Sequence, residues 1–162
     1  MLKLRKNKKG FTLVELIVVI AIMAVLAGVV AGVTVSQLNK QTDKTGVTQA
    51  NTISSFLSTC IQSAETGEAD SLIDETTGLF DDDLLTAVLT KQYSASSTKI
   101  KQLAGNNTPN KGYIDVVLST DKKFIKVEYV PKVTDKGATY YVSLDGTVST
   151  TAPTGSSFST GD

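Results

Sequence analysis

The order of apolar and polar positions divides the chain into three patterns. From Leu16 to Val33 there are 18 residues (LIVVIAIMAVLAGVVAGV) without a charge or a strongly polar side chain. As a helix this run spans roughly 27 Å, close to the hydrocarbon thickness of a bilayer. Beyond it the pattern becomes amphipathic: Ala50, Ile53, Leu57, Cys60, Ile61 and Ala64 recur in steps of three and four and form one apolar stripe. No proline precedes Pro109, so a single helix from about residue 11 to about residue 64, roughly 80 Å long, is allowed. Its first half needs a bilayer or the same segment of neighbouring subunits, and its second half needs a globular layer on the stripe.

From Tyr113 the period becomes two. Tyr113–Leu118, Phe124–Val130 and Thr139–Leu144 are rich in Val, Ile, Tyr and Phe and are bounded by turn residues. Ile125, Val127 and Tyr129 alternate with Lys126 and Glu128, and Tyr140, Val142 and Leu144 share a face. Asp145-Gly146 then signals a tight hairpin into Thr147–Thr150. The expected fold class is α+β: a long N-terminal helix, apolar then amphipathic, packed on a small antiparallel β-meander. Its expected segments are a basic leader (1–10), an apolar helix half (11–35), an amphipathic half (36–65), a connecting region (66–112) and the sheet with its tail (113–162).

The connecting region holds one further helix signal, Asp81 to Gln92, with acidic residues at its start and Lys91 at its end. The triplet Asp81, Asp82, Asp83 lacks the D-x-D-x-D spacing and following glycine of a calcium loop, so capping of the helix dipole is the simpler reading. Gly67 suits the left-handed position after the long helix. Ser94 to Gly112 reads as an exposed loop, and the segment from Thr150 as mobile or a surface strand edge. Gly28, Gly32 and Gly46 interrupt the long helix, each at about 1 kcal/mol of propensity relative to alanine. Gly28 and Gly32 also make a small-xxx-small pair that permits close helix approach, or mark a place where the helix can loosen.

Composition narrows the chemistry. The 162 residues include no histidine and one cysteine, Cys60. That removes the usual metal sites, Cys–His nucleophile pairs, His-based acid–base catalysis and any internal disulfide. Neither a catalytic residue, a cofactor nor a metal site is expected, and an enzyme is the least favoured class. Cys60 on the stripe reads as a buried small hydrophobe. The formal charge is zero, which argues against a generic nucleic-acid binder, but it is unevenly spread. Residues 1–10 hold five basic residues and no acidic one. Without them the chain keeps eleven basic and sixteen acidic residues, a net charge of −5. A basic flank before an apolar span places the N-terminus in the cytoplasm and exports the remainder.

An ordinary secretory signal has the same basic and apolar regions, and Val25-Leu26-Ala27 or Val29-Val30-Ala31 would serve as its cleavage site. Against it stands Glu15, a carboxylate at the entrance of the apolar run, where a discarded peptide gains nothing from it. An ionisable group there is costly and marks a functional position.

Lys9-Gly10-Phe11-Thr12-Leu13-Val14-Glu15-Leu16, followed by the uncharged run, resembles the type III signal sequence of type IV prepilins. The likeness is close over about residues 9–33 and looser over the helix-then-sheet layout. It implies that a prepilin peptidase cuts between Gly10 and Phe11 and N-methylates Phe11. It also implies that the apolar segment is retained in the core of a helical fibre, where Glu15 pairs with the N-terminal amine of an adjacent subunit. The implied partners are that peptidase, copies of the chain and other pilins, the cytoplasmic membrane before assembly, and a pilus assembly platform. The implied location is a single membrane pass and then a cell-surface pilus. A pseudopilin of a type II secretion or DNA-uptake system shares the motif, and a monomeric membrane-anchored binding module is the reading from another class. Many pilins carry a proline in the retained segment and a disulfide near the C-terminus; this chain has neither there.

Overall fold

The computed structural model describes residues 11–67, 70–93, 99–104, 110–133 and 137–158. The elements are α1 (Leu13–Glu65), α2 (Asp82–Tyr93), α3 (Lys101–Ala104), β1 (Tyr113–Leu118), β2 (Phe124–Val130), β3 (Ala138–Ser143) and β4 (Val148–Ser149). The chain divides into two compact units, one ending at Leu38 and one beginning at Asn39. The α+β arrangement expected from the periodicities is the one observed.

Within the first unit the described residues from Leu13 onward are helical. Thr12 starts the helix, its carbonyl accepting from the amide of Leu16 at 3.3 Å. Among the described residues, every large hydrophobic side chain from Phe11 to Leu38 is 45–85 % exposed.

In the second unit the rest of α1 lies against the sheet. Ala50, Ile53, Leu57, Cys60 and Ile61 are buried as the stripe requires, and Ala64 is half-buried. The exposed face carries Thr45, Thr48, Thr52 and Thr59, whose hydroxyls donate to the carbonyls four residues back. Those bonds satisfy each hydroxyl locally, so a β-branched polar residue sits in the helix without a tertiary partner. The helix ends as glycine allows: Gly67 takes φ 75° and its amide donates to the carbonyl of Ala64 at 3.0 Å.

The sheet is an antiparallel meander in the order β1-β2-β3-β4. Its register sets Ile114 against Tyr129, Val116 against Val127 and Leu118 against Ile125, and sets Val127 against Tyr140 and Ile125 against Val142. Alternation on β2 is strict, with Ile125, Val127 and Tyr129 buried and the residues between them partly exposed. The β3–β4 connection is a turn closed by the Gly146 amide on the Ser143 carbonyl (2.9 Å), with Gly146 at φ 79° and Ser143 donating to Thr147 (3.0 Å). That is a type I turn followed by a left-handed glycine, a three-residue hairpin. The turn rests on α1, where the Ser58 hydroxyl donates to the Gly146 carbonyl.

Residues 66–112 do more than connect. Leu72, Phe80, Leu85, Val88, Leu89 and Ile100 all enter the core beside the α1 stripe and the sheet. Asp81 caps α2, its carboxylate accepting from the amides of Asp83 (2.9 Å) and Leu84 (3.2 Å). This is the capping role favoured for the acidic triplet. The Phe80 amide donates to the Lys122 carbonyl, joining this segment to the β1–β2 turn.

One expectation needs correction, and for the segment from Thr150 the surface strand edge is favoured over the mobile alternative. The segment from Ser94 to Gly112 is not simply an exposed loop. Ile100 is buried and bridges Ile114, and α3 follows it. The cause is apolar burial by Ile100, together with Gln102, which donates to Asp115 (3.0 Å) and accepts from the Val116 amide (3.1 Å). Residues 94–98 and 105–109 lie outside the described residues. The C-terminal segment is likewise held in place through Phe158. Phe158 bridges Ser119, the Thr120 amide donates to the Ser157 carbonyl (2.8 Å), and the Phe158 ring lies 5.5 Å from that of Tyr141.

Candidate functional site

The chemistry singled out in the sequence lies at the start of α1. Gly10 lies outside the described residues. Phe11 precedes the helix and is 85 % exposed. Thr12 and Glu15 form a reciprocal pair across the first turn. The Thr12 amide and hydroxyl both donate to Glu15 Oε2, at 2.9 and 2.8 Å, and the Glu15 amide donates to Thr12 Oγ1 at 3.3 Å. This is a capping box. It satisfies amides that otherwise lack partners at a helix start and places the carboxylate against the positive end of the helix dipole. The Thr-x-x-Glu spacing is a capping signal legible in the sequence, whereas the resemblance to prepilins implies for Glu15 a partner in a neighbouring subunit.

After Glu15 comes a helix long and apolar enough to cross a membrane, judged by length and composition. Gly28 and Gly32 have open space where a side chain would stand, with no atom within 4 Å. A small-residue pair on a bare helix surface leaves room for close approach by another helix.

A second polar feature, absent from the sequence reading, lies at the start of the folded unit. Asp43 is 3 % exposed. Its carboxylate accepts from the Tyr129 hydroxyl (3.0 Å) and from the amides of Lys132 (2.8 Å) and Val133 (3.2 Å). Burial, and then the bond to Asp43, push the Tyr129 hydroxyl up to about 12. Tyr129 reaches Asp43 by crossing α1 at Gly46, where a Cβ would lie 2.1 Å from the Tyr129 ring. Gly46 is therefore the slot through which the tyrosine passes, not a loose point in the helix. The arrangement fastens the end of β2 to α1 and offers no nucleophile or open coordination position.

No group of three or more metal-ligating side chains occurs among the described residues. Cys60 is buried, and burial, followed by the charge of Asp70, pushes its thiol up, which disfavours the reactive thiolate.

These observations define a class: an α+β protein with an apolar helical segment presented bare at its N-terminus, opened by a capped glutamate. The family model for the prokaryotic N-terminal methylation motif matches residues 5–31. That match and the long apolar helix fit a type IV pilin-like protein. The apolar helix suits membrane anchoring of a protein of that kind. No curated protein and no solved structure gives a significant match.

Proposed function

We propose that this chain is a structural subunit of a type IV pilus. It is made as a prepilin, cut between Gly10 and Phe11 by a prepilin peptidase, N-methylated on Phe11 and polymerised through its N-terminal helix. Before assembly it is anchored in the cytoplasmic membrane by residues 11 to about 35, and after assembly it belongs to a surface fibre with the residues after 65 facing outward. The observation that carries this reading is the bare helix. Burying one exposed Val, Leu or Ile side chain gains about 1.5–3 kcal/mol, and here every such residue from Leu13 to Leu38 stands unburied. A lipid bilayer and then the same helices of neighbouring copies supply that burial.

Glu15 has two successive partners in this proposal. In the isolated chain Thr12 holds its carboxylate; in the fibre the methylated amine of Phe11 from an adjacent copy takes it. The bonds from Thr12 already carry the carboxylate's charge; a cationic amine adds a second, opposite charge to the contact, and the apolar surroundings strengthen it further.

Mass spectrometry of the mature chain tests the first step and is expected to begin at N-methylated Phe11. A chain that retains Met1, or one that starts at Gly28 or Gly32, would overturn the assignment. Electron microscopy of sheared surface fibres, checked for this chain, tests the second. Glu15→Ala is expected to leave processing and insertion intact and abolish fibres; normal fibres from that variant would remove Glu15 from the assembly role.

A further inference from the structure

The folded unit has two ends of opposite charge, and the sheet register identifies which residues belong to each. One end is the level at which β1 starts, β2 finishes and Asp43 receives the amides of Lys132 and Val133. Exposed there are Lys40 and Lys44, flanking Asp43 on α1, and Lys132 beside it. Lys111 adjoins Gly112, whose amide donates to the Val130 carbonyl, and Lys99 accepts from the Ile114 amide opposite Tyr129. Among the described residues the carboxylates at this end are Asp43, held by three donors, Asp115, held by Gln102, and Glu128, paired with Lys126 at 2.8 Å; the five lysines outnumber Asp43 and Asp115.

The other end is the level of the β1–β2 turn, the β3–β4 turn and the start of α2. It exposes Glu75, Asp82, Asp83, Asp121 and Asp145. The Phe80 amide on the Lys122 carbonyl sets the start of α2 beside the β1–β2 turn, Phe124 opposite Ser143 sets that turn beside the β3–β4 turn, and the Asp74 amide on the Leu79 carbonyl keeps Glu75 close to Phe80. Two lysines accompany them: Lys122 lies 3.8 Å from Asp82, and Lys123 adjoins Asp121. The carboxylates outnumber them.

We propose that the lysine-rich end of one copy meets the carboxylate-rich end of the next, a head-to-tail contact between two copies of this chain. The inference rests on the pilus-subunit reading and adds how successive folded units face one another. Complementary ends on one chain make a heterologous contact, which propagates an open filament where a two-fold contact would close a dimer. Individual exposed ion pairs are weak and screened by salt. The charge contact therefore sets direction and register, while the apolar helices keep the copies at high effective concentration. An anionic membrane surface would use the lysine end and leave the carboxylate end without a role, so a second copy accounts for more of the surface.

The test uses the full chain in cells that process and assemble it, with sheared fibres and processed membrane-held chain measured separately. Lys44→Glu with Lys111→Glu is expected to lower fibre yield about tenfold or more, and so is Glu75→Lys with Asp83→Lys. Processed chain in the membrane should stay at the wild-type level in both. Combining all four substitutions is expected to restore most of the yield, because the reversed ends match again; a misfolding variant would not be rescued this way. Wild-type fibre yields from both double variants would overturn the inference while leaving the subunit reading in place. Loss confined to the lysine variant would overturn it in favour of an anionic lipid surface, and failure of the fourfold combination to restore fibres would overturn it too. Absence of fibres from the wild-type chain would sink the subunit reading and this inference with it.

Discussion

Glycine has opposite meanings in the two halves of α1. At Gly28 and Gly32 a side chain would meet nothing, whereas at Gly46 it would strike the ring of Tyr129 at 2.1 Å. The intrinsic helix cost is the same at all three positions, about 1 kcal/mol relative to alanine. What differs is the neighbour. In the folded half the missing side chain is filled from within the chain, by a tyrosine on its way to a buried aspartate. In the bare half the space is open in the single chain, and the proposed fibre fills it with another copy. Helix propensity therefore says little about why a glycine is present; the identity of the nearest atoms says more.

The contrast can be broken most severely at Asp43. Asp43→Ala would strand the Tyr129 hydroxyl and the amides of Lys132 and Val133, and a loss of about 3 kcal/mol is expected in denaturant unfolding of the full chain in detergent. A loss below about 0.5 kcal/mol would show that water replaces the carboxylate without penalty. Next comes Gly46→Ala, expected to destabilise by about 2 kcal/mol through overpacking even though alanine is the better helix former. At Gly28 the same change has the opposite sign, with Gly28→Ala expected to stabilise the detergent-held helix by up to about 1 kcal/mol, read as raised helicity and slower amide exchange. Equal effects at positions 28 and 46 would erase the distinction between the halves.

A last comparison is alkaline. Tyr129 ionises near 10 when unfolded and is pushed up to about 12 in the fold, so the fold favours its neutral form. That contribution is complete below pH 10 and is lost as pH rises through 12. Thermal unfolding should therefore show a steeper decline in Tm between pH 10 and 12 for the wild-type chain than for Tyr129→Phe. Parallel declines would remove Tyr129 from the account.

Local patterns were legible in the sequence and long-range pairings were not. The α1 stripe, the three long strands and Asp81 at the start of α2 each follow from spacing within about ten residues, because helix and strand periods are local properties. The bond from Tyr129 to Asp43 joins positions 86 residues apart, and nothing near either residue encodes it. Leu72, Phe80 and Ile100 were missed as core for a related reason: in irregular backbone, apolar residues reach the core without any period. At the candidate site the glutamate stood out by its charge beside an apolar run. Its capping partner Thr12 is equally local, three residues away, and the Thr-x-x-Glu spacing encodes it.

The way the C-terminal segment is fastened bears on how quickly the molecule can mature. With one cysteine, buried, the chain has no oxidative step to complete. Ser157 and Phe158 reach the β1–β2 turn and the outer face of the sheet through a backbone bond, hydroxyl contacts and stacking on Tyr141. Such contacts form as fast as the chain collapses, whereas disulfides take seconds to hours and depend on oxidant and isomerase. Closure of this fold is therefore expected to proceed at the same rate in reducing and oxidising surroundings, and addition of a copy to the proposed fibre would need no thiol chemistry.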